Sequence, residues 1–112
     1  MQLLIYIMKK TELLPRVLAG FMKEGISGTT VIDSQGALQL INQSSVDAPP
    51  IFGSLRQFLN PKGAEEKMLL VVLPEDKVAK ATQIIKNTVD ITKPDTGIFF
   101  TVQVGNVEGL AK

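Results

Sequence analysis

The chain has 112 residues, of which 45% are hydrophobic, which is enough for one core and a single domain spanning residues 1–112. Twelve Lys and Arg against eleven Asp and Glu give a formal net charge of +1, so no field over the whole molecule attracts nucleic acid or an anionic membrane. The absence of cysteine and histidine excludes disulfides, a thiolate nucleophile, the usual zinc sites and triad hydrolysis in its usual form. We therefore expect a cytoplasmic protein that is not an enzyme.

An apolar run opens the chain. Its β-rich residues stop at the charged pair Lys9-Lys10, which predicts a buried strand from Gln2 to Met8. The run is too short to span a bilayer, and its basic pair follows it instead of preceding it, unlike a signal peptide. We expect neither a leader sequence nor stable membrane insertion.

A first helix is predicted from about Glu12 to Glu24, with Thr11 as its cap. Gly25 can then adopt the left-handed conformation that ends a helix, with Ile26 folding back as an apolar contact. The helix is indicated by apolar residues that recur at steps of three and four: Leu14, Val17, Leu18, Phe21 and Met22.

The middle of the chain combines a strand with a long loop. The β-branched row from Thr29 to Ile32 predicts a second strand, which Gly36 interrupts or ends. The turn-forming composition of residues 42–50 predicts the long loop. Helical spacing of apolar residues indicates a short helix over residues 51–59. This helix packs as core, contacts a neighbouring subunit or a target, or lies on a membrane surface.

The last part repeats the strand-helix-strand order. Met68 to Leu73 is apolar without interruption and predicts a third strand, which ends at Pro74. A second helix then runs to about Val89. A turn-rich connection over residues 92–97 leads to a fourth strand over residues 98–104.

This order predicts an α+β ferredoxin-like βαββαβ sandwich, with a four-stranded antiparallel sheet, both helices on one face and a long loop between strands two and three. Strands one and three are apolar at nearly every position. The face without helices would be an exposed apolar patch on a monomer, and such patches usually mark interfaces. We therefore expect a closed homo-oligomer.

The stretch from Gly25 to Val31, followed by Gly36, resembles the connection between helix one and strand two of the nitrogen regulatory PII signalling proteins. Pro74 after an apolar strand, then helix two, Lys93, Gly97 and Phe99-Phe100 are similar to the second half of that family. The resemblance covers nearly the whole chain except the middle loop and the tail. It implies a homotrimer that binds ATP or ADP in clefts between subunits. It also implies a regulatory contact with a target protein, such as a transporter or an enzyme of nitrogen or carbon metabolism, through loop 38–63.

The resemblance also implies a set of ligand-binding positions. Gly36 would let the backbone approach phosphate, and Gln39 stands at the base of the loop, where the family has a basic residue. Lys93 and Gly97 would lie in the phosphate loop. The nucleotide cleft itself would be lined by Gly28, Thr29 and Thr30.

The sequence departs from the family pattern at several of these elements. Asp95 and Thr96 replace part of the glycine-rich element, and Ile98 stands in place of a phosphate-binding lysine. Leu40 occupies the position of a glutamine used with Mg and 2-oxoglutarate. An added carboxylate and a lost cation both disfavour phosphate, so we expect an altered nucleotide switch.

Other interpretations explain some of the same residues. The glycines are also typical of a helix cap and turns, and residues 93–97 form a good turn by themselves. A small-molecule- or metal-sensing module of ACT or CutA-like type shares the repeated order, although the lack of Cys and His weakens the metal version. An RNA-recognition module would need an aromatic platform that residues 68–73 do not offer. An acylphosphatase-like enzyme would need an Arg-rich cradle where Lys9-Lys10-Thr11 stands.

Overall fold

The computed structural model describes residues 1–37 and 65–110. The loop predicted over residues 42–50 and the short helix predicted over residues 51–59 lie outside the described residues. Within the described ranges, no helix has the length and apolar character needed to cross a membrane. The elements in chain order are β1 (Gln2–Met8), α1 (Leu14–Lys23), β2 (Thr30–Gln35), β3 (Glu65–Leu73), α2 (Glu75–Thr88) and β4 (Gly97–Gln103).

The four strands form one antiparallel sheet in the order β2-β3-β1-β4. The two strands of most continuous apolar character, β1 and β3, lie in the centre, where neighbours on both sides satisfy their backbone groups. The prediction of an α+β domain with a four-stranded antiparallel sheet and two helices is confirmed. The strand order is compatible with the ferredoxin-like arrangement.

Both helices pack against one face of the sheet because alternate strand residues point to that side. Tyr6 is fully buried there, and its ring meets Phe99 edge to face at a centroid distance of 6.2 Å. The apolar stripes of α1 and α2 cover this face. The buried core consists mainly of Leu4, Tyr6, Met8, Leu69, Val71 and Leu73 from the sheet, with Val17, Phe21, Ala81 and Ile85 from the helices.

The C-terminus of α1 closes as the sequence predicts. Gly25 has a φ of +76°, and its N–H donates to the Met22 carbonyl over 3.0 Å. The N–H of Ile26 donates to the Phe21 carbonyl over 2.8 Å, and the Ile26 side chain is buried. This pair of bonds is the Schellman motif, which satisfies carbonyls at the end of a helix.

The N-terminus of α1 differs from the prediction that Thr11 caps it. The N–H of Leu13 donates to the Lys10 carbonyl over 2.9 Å, which forms a 3-10 turn over Thr11–Leu13 before the α-helix begins. Thr11 therefore lies inside a turn, and no side chain of the described residues caps either segment. Pro15 lies in the first turn of α1, where its missing N–H leaves no intrahelical bond unmade.

Candidate functional site

The sheet face opposite the helices, which we call the open face, carries apolar side chains in three rows. Ile98, Phe100 and Val102 of β4 are 57%, 43% and 46% exposed. The matching residues of the central strands are half-buried by their neighbours in the sheet. The rows, read across β3, β1 and β4, are Val72–Leu3–Val102, Leu70–Ile5–Phe100 and Met68–Ile7–Ile98.

A cluster of polar residues borders the open face at the C-terminal end of β2. The Lys9 ammonium lies 3.6 Å from the Glu66 carboxylate, whose side chain is only 11% exposed. Ser34 pairs with Glu66 across β2 and β3, and its buried Oγ has no hydrogen-bond partner among the described residues. A Cβ at Gly36 would lie 2.8 Å from Glu66 Oε1. A carboxylate therefore lies directly beside Gly36, where the family resemblance implies phosphate.

The predicted cleft residues Gly28, Thr29 and Thr30 lie at the other end of β2. Gly28 is exposed and has a φ of +79°, and no atom of the described residues lies within 4 Å of the position of a Cβ. The Thr29 hydroxyl is buried and has no hydrogen-bond partner within residues 1–37 and 65–110, whereas Thr30 begins β2 and is exposed.

The turn before β4 is held by its own hydrogen bonds. The Asp90 carboxylate accepts bonds from the hydroxyl and N–H of Thr92, and these bonds lower the pKa of Asp90. The N–H of Lys93 donates to the Asp90 carbonyl over 3.1 Å, and the Lys93 carbonyl accepts the hydroxyl of the buried Thr96 over 2.9 Å. Asp95 has a φ of +59°. The Lys93 N–H is thus already occupied, and its exposed ammonium is the group left to meet an anion.

The packing of β4 against β1 explains why residue 97 is a glycine. Its φ is +121°, and a Cβ there would lie 2.2 Å from the Ile7 carbonyl oxygen. Only glycine permits this approach of β4 to β1. The contact accounts for a glycine at this position without any ligand.

One chain does not bring the predicted site residues together. The antiparallel order places Gly36, Lys93 and Gly97 at one end of the sheet, and Gly28 with its neighbours at the other. Gly36 and Gly97 also lie on opposite edges, which three strand spacings put about 14 Å apart. Gln39 lies outside the described residues. A site that uses these residues together would need two chains.

Sequence reasoning missed the pair of Lys9 and Glu66. Its signal is a cation just after one strand and an anion near the start of another, but pairing them requires the β1-β3 register. In the part of the chain that the structure describes, no group of three or more acidic side chains is placed to hold a metal ion.

A scan against protein-family models finds no match for this chain, and a search of curated proteins finds none.

Proposed function

We propose that this protein is a PII-like regulatory sensor with a ferredoxin-like fold. It forms a homotrimer, binds a small anionic ligand such as ATP or ADP in clefts between copies, and acts on a target protein through segment 38–63. The observation that carries the proposal is the open face, whose three apolar rows favour burial against identical copies.

The separation of the candidate residues supports a site between copies. Gly28 and Gly36 flank one edge strand, whereas Lys93 and Gly97 flank the other. Both edges face outward from a single chain, so a neighbouring copy can supply the half of a cleft that each chain lacks.

The charges beside Gly36 and in the turn before β4 favour a ligand that differs from the nucleotides of the PII family. The added Asp95 repels a polyphosphate, and so does the Glu66 carboxylate beside Gly36, although the Lys9 ammonium 3.6 Å away offsets part of its charge. Lys93 is the exposed cation of its turn. These observations support a ligand with less negative charge than ATP, and they also favour the alternative of an ACT or CutA-like small-molecule module without PII-style nucleotide switching.

Thermal unfolding in the presence of ATP, ADP, AMP, cyclic dinucleotides or bicarbonate tests the proposal. An anion present at about one hundred times its Kd is expected to raise the free energy of unfolding by about 2.7 kcal/mol, which appears as a higher Tm. Lys93→Ala should reduce this shift because it removes the exposed ammonium. Lys86→Ala, which removes an exposed lysine from the last turn of α2, is the matched control and should keep the shift.

Stabilisation by none of these anions would overturn the ligand class. Stabilisation by an uncharged small molecule alone would favour the ACT or CutA-like alternative. An equal loss of the shift in both lysine variants would show that general charge, and not the turn before β4, is responsible.

A further inference from the structure

A row of polar side chains borders the three apolar rows of the open face. Ser34 pairs with Glu66 across β2 and β3. The register between β1 and β3, continued by one residue beyond its last pair, places Lys9 on the other side of Glu66. Because alternate residues of a strand share a face, these side chains lie on the same face as Met68. We call Ser34, Glu66 and Lys9, in that order across the sheet, the polar row.

Two members of the polar row lack the hydrogen-bond partners that buried polar groups normally have. The Glu66 side chain is only 11% exposed, and its contact with the Lys9 ammonium is an ion pair at 3.6 Å, longer than a hydrogen bond. No group of residues 1–37 and 65–110 donates a hydrogen bond to this carboxylate. The buried Oγ of Ser34 is also without a partner in that part of the chain. The row therefore offers two polar groups to a bound molecule.

Gly36 keeps the space beside the Glu66 carboxylate open. A Cβ at this position would lie 2.8 Å from Glu66 Oε1, closer than a carbon and an oxygen pack. Gly36 does not have a positive φ, so its backbone conformation is one that other residues adopt. The absence of a side chain at residue 36 thus leaves the carboxylate accessible from the end of β2.

The charges of the polar row select the class of molecule that fits it. A dianion is repelled by the Glu66 carboxylate, and a simple cation is repelled by the Lys9 ammonium. A zwitterion is attracted by both. In an α-amino acid the ammonium and the carboxylate are attached to the same carbon atom, which matches charges that lie 3.6 Å apart in the row. Hydrogen bonds between charged groups are stronger than neutral ones, so this match favours an amino acid over a neutral molecule.

We propose that the polar row binds the head group of a free α-amino acid. The ammonium of the ligand donates to the Glu66 carboxylate and to the Ser34 hydroxyl, which lies on the side of Glu66 away from Lys9. The carboxylate of the ligand accepts from the Lys9 ammonium, whose side chain is 42% exposed. All these groups belong to one chain, so the site goes beyond the proposed function and depends neither on the trimer nor on its anionic ligand.

Titration calorimetry of the full chain with glycine, leucine, glutamine, glutamate and lysine tests the site. At least one of these amino acids is expected to bind. The amine and the carboxylic acid that correspond to the tightest binder carry a single charge each. Both should bind at least about tenfold more weakly, because each loses the hydrogen bonds of one charged group.

Two charge variants identify the groups that hold the ligand. Glu66→Gln keeps the shape of the side chain and removes its charge, and it should weaken amino acid binding about tenfold or more. Glu24→Gln is the matched control, because Glu24 also forms an ion pair, with Lys80 over 3.1 Å, but lies at the end of α1; its affinity should be that of wild type. Lys9→Gln should weaken binding of the amino acid but not of the corresponding amine.

Ser34→Ala separates ligand binding from a structural role. Removal of a buried hydroxyl that has no partner among the described residues should raise the Tm of the free protein. Loss of a ligand contact should at the same time weaken amino acid binding severalfold. A higher Tm with unchanged affinity would show that Ser34 does not contact the ligand and would contradict the proposal.

Wild-type protein that binds none of the five amino acids would overturn the proposal, and so would an amine or an acid that binds as tightly as its amino acid. Equal losses in Glu66→Gln and Glu24→Gln, with circular dichroism showing both variants folded, would contradict it as well. Stabilisation by nucleotides without any amino acid binding would reject the polar row and retain the anionic ligand of the proposed function. Binding of amino acids alone would do the reverse.

Discussion

Gly97→Ala is expected to lower the free energy of unfolding by about 3 kcal/mol, from backbone strain and overpacking together. The added Cβ would lie 2.2 Å from the Ile7 carbonyl oxygen, and the φ of +121° is itself unfavourable for alanine. Ile7 cannot move away easily because β1 is paired on both sides, with β3 and with β4. Equilibrium unfolding in urea measures the change.

Alanine variants at two other glycines separate the effect of the positive φ from the effect of the contact with Ile7. Gly28 has a φ of +79°, but no atom within the described ranges lies within 4 Å of a Cβ there, so Gly28→Ala should cost only the conformational term of about 1 kcal/mol. Gly105 has no positive φ and no close neighbour among residues 1–37 and 65–110, and Gly105→Ala should change stability little. Equal losses at Gly97 and Gly28 would show that the contact with Ile7 does not decide the effect.

The features that the sequence predicts correctly depend on neighbouring residues. The cap at Gly25 and Ile26 needs only contacts within one turn of α1, so the pattern of a stripe followed by glycine and an apolar residue was sufficient. The element order follows from the same short-range periodicity, and right-handed crossovers then leave few arrangements of four strands and two helices.

The third strand is longer than its apolar run predicts, for a physical reason. β2 runs over Thr30–Gln35 and ends just before Gly36, as predicted, whereas β3 begins at Glu65 instead of Met68. The additional residues are polar and charged, and an ion pair between Asp33 and Lys67 bridges the two strands. Apolar runs identify the buried part of a strand, but they miss a polar part that the neighbouring strand stabilises.

The site required information that a single sequence does not contain. Gly97 fits a phosphate loop by its sequence context, yet its contact is with Ile7, which is distant in sequence. The pairing of Lys9 with Glu66 depends in the same way on the register between β1 and β3. Residue type and spacing suggested which positions matter, whereas only the sheet showed what each one touches.

Tyr6→Phe is expected to stabilise the protein by about 1 kcal/mol at neutral pH. The Tyr6 side chain is fully buried, and in the part of the chain that the structure describes its hydroxyl has no hydrogen-bond partner. Burial of an unsatisfied hydroxyl costs about 1–3 kcal/mol, and this cost is absent in phenylalanine. The edge-to-face contact with Phe99 needs only the ring and remains. Urea unfolding of both proteins at neutral pH measures the gain.

The advantage of Tyr6→Phe should grow at alkaline pH. Burial raises the pKa of Tyr6 from 10.0 to about 12. The folded state holds the phenolic proton of Tyr6 more tightly than the unfolded state does. The stability that this proton contributes is therefore complete below pH 10 and is lost as the pH rises from 10 to about 12. The loss is about 1.4 kcal/mol per pH unit across this window.

Every other ionisable group is common to both proteins, so the difference between wild type and Tyr6→Phe isolates the phenol. Tyr6 is the single tyrosine of the chain, and the absorbance of its phenolate therefore reports its ionisation directly. We expect this ionisation to shift above pH 10 in the folded protein and to return to the ordinary value in urea. A parallel decline of both proteins between pH 10 and 12, with tyrosine ionising at its ordinary pKa, would show that water reaches the Tyr6 hydroxyl. Such access would also remove the reason for the gain in Tyr6→Phe at neutral pH.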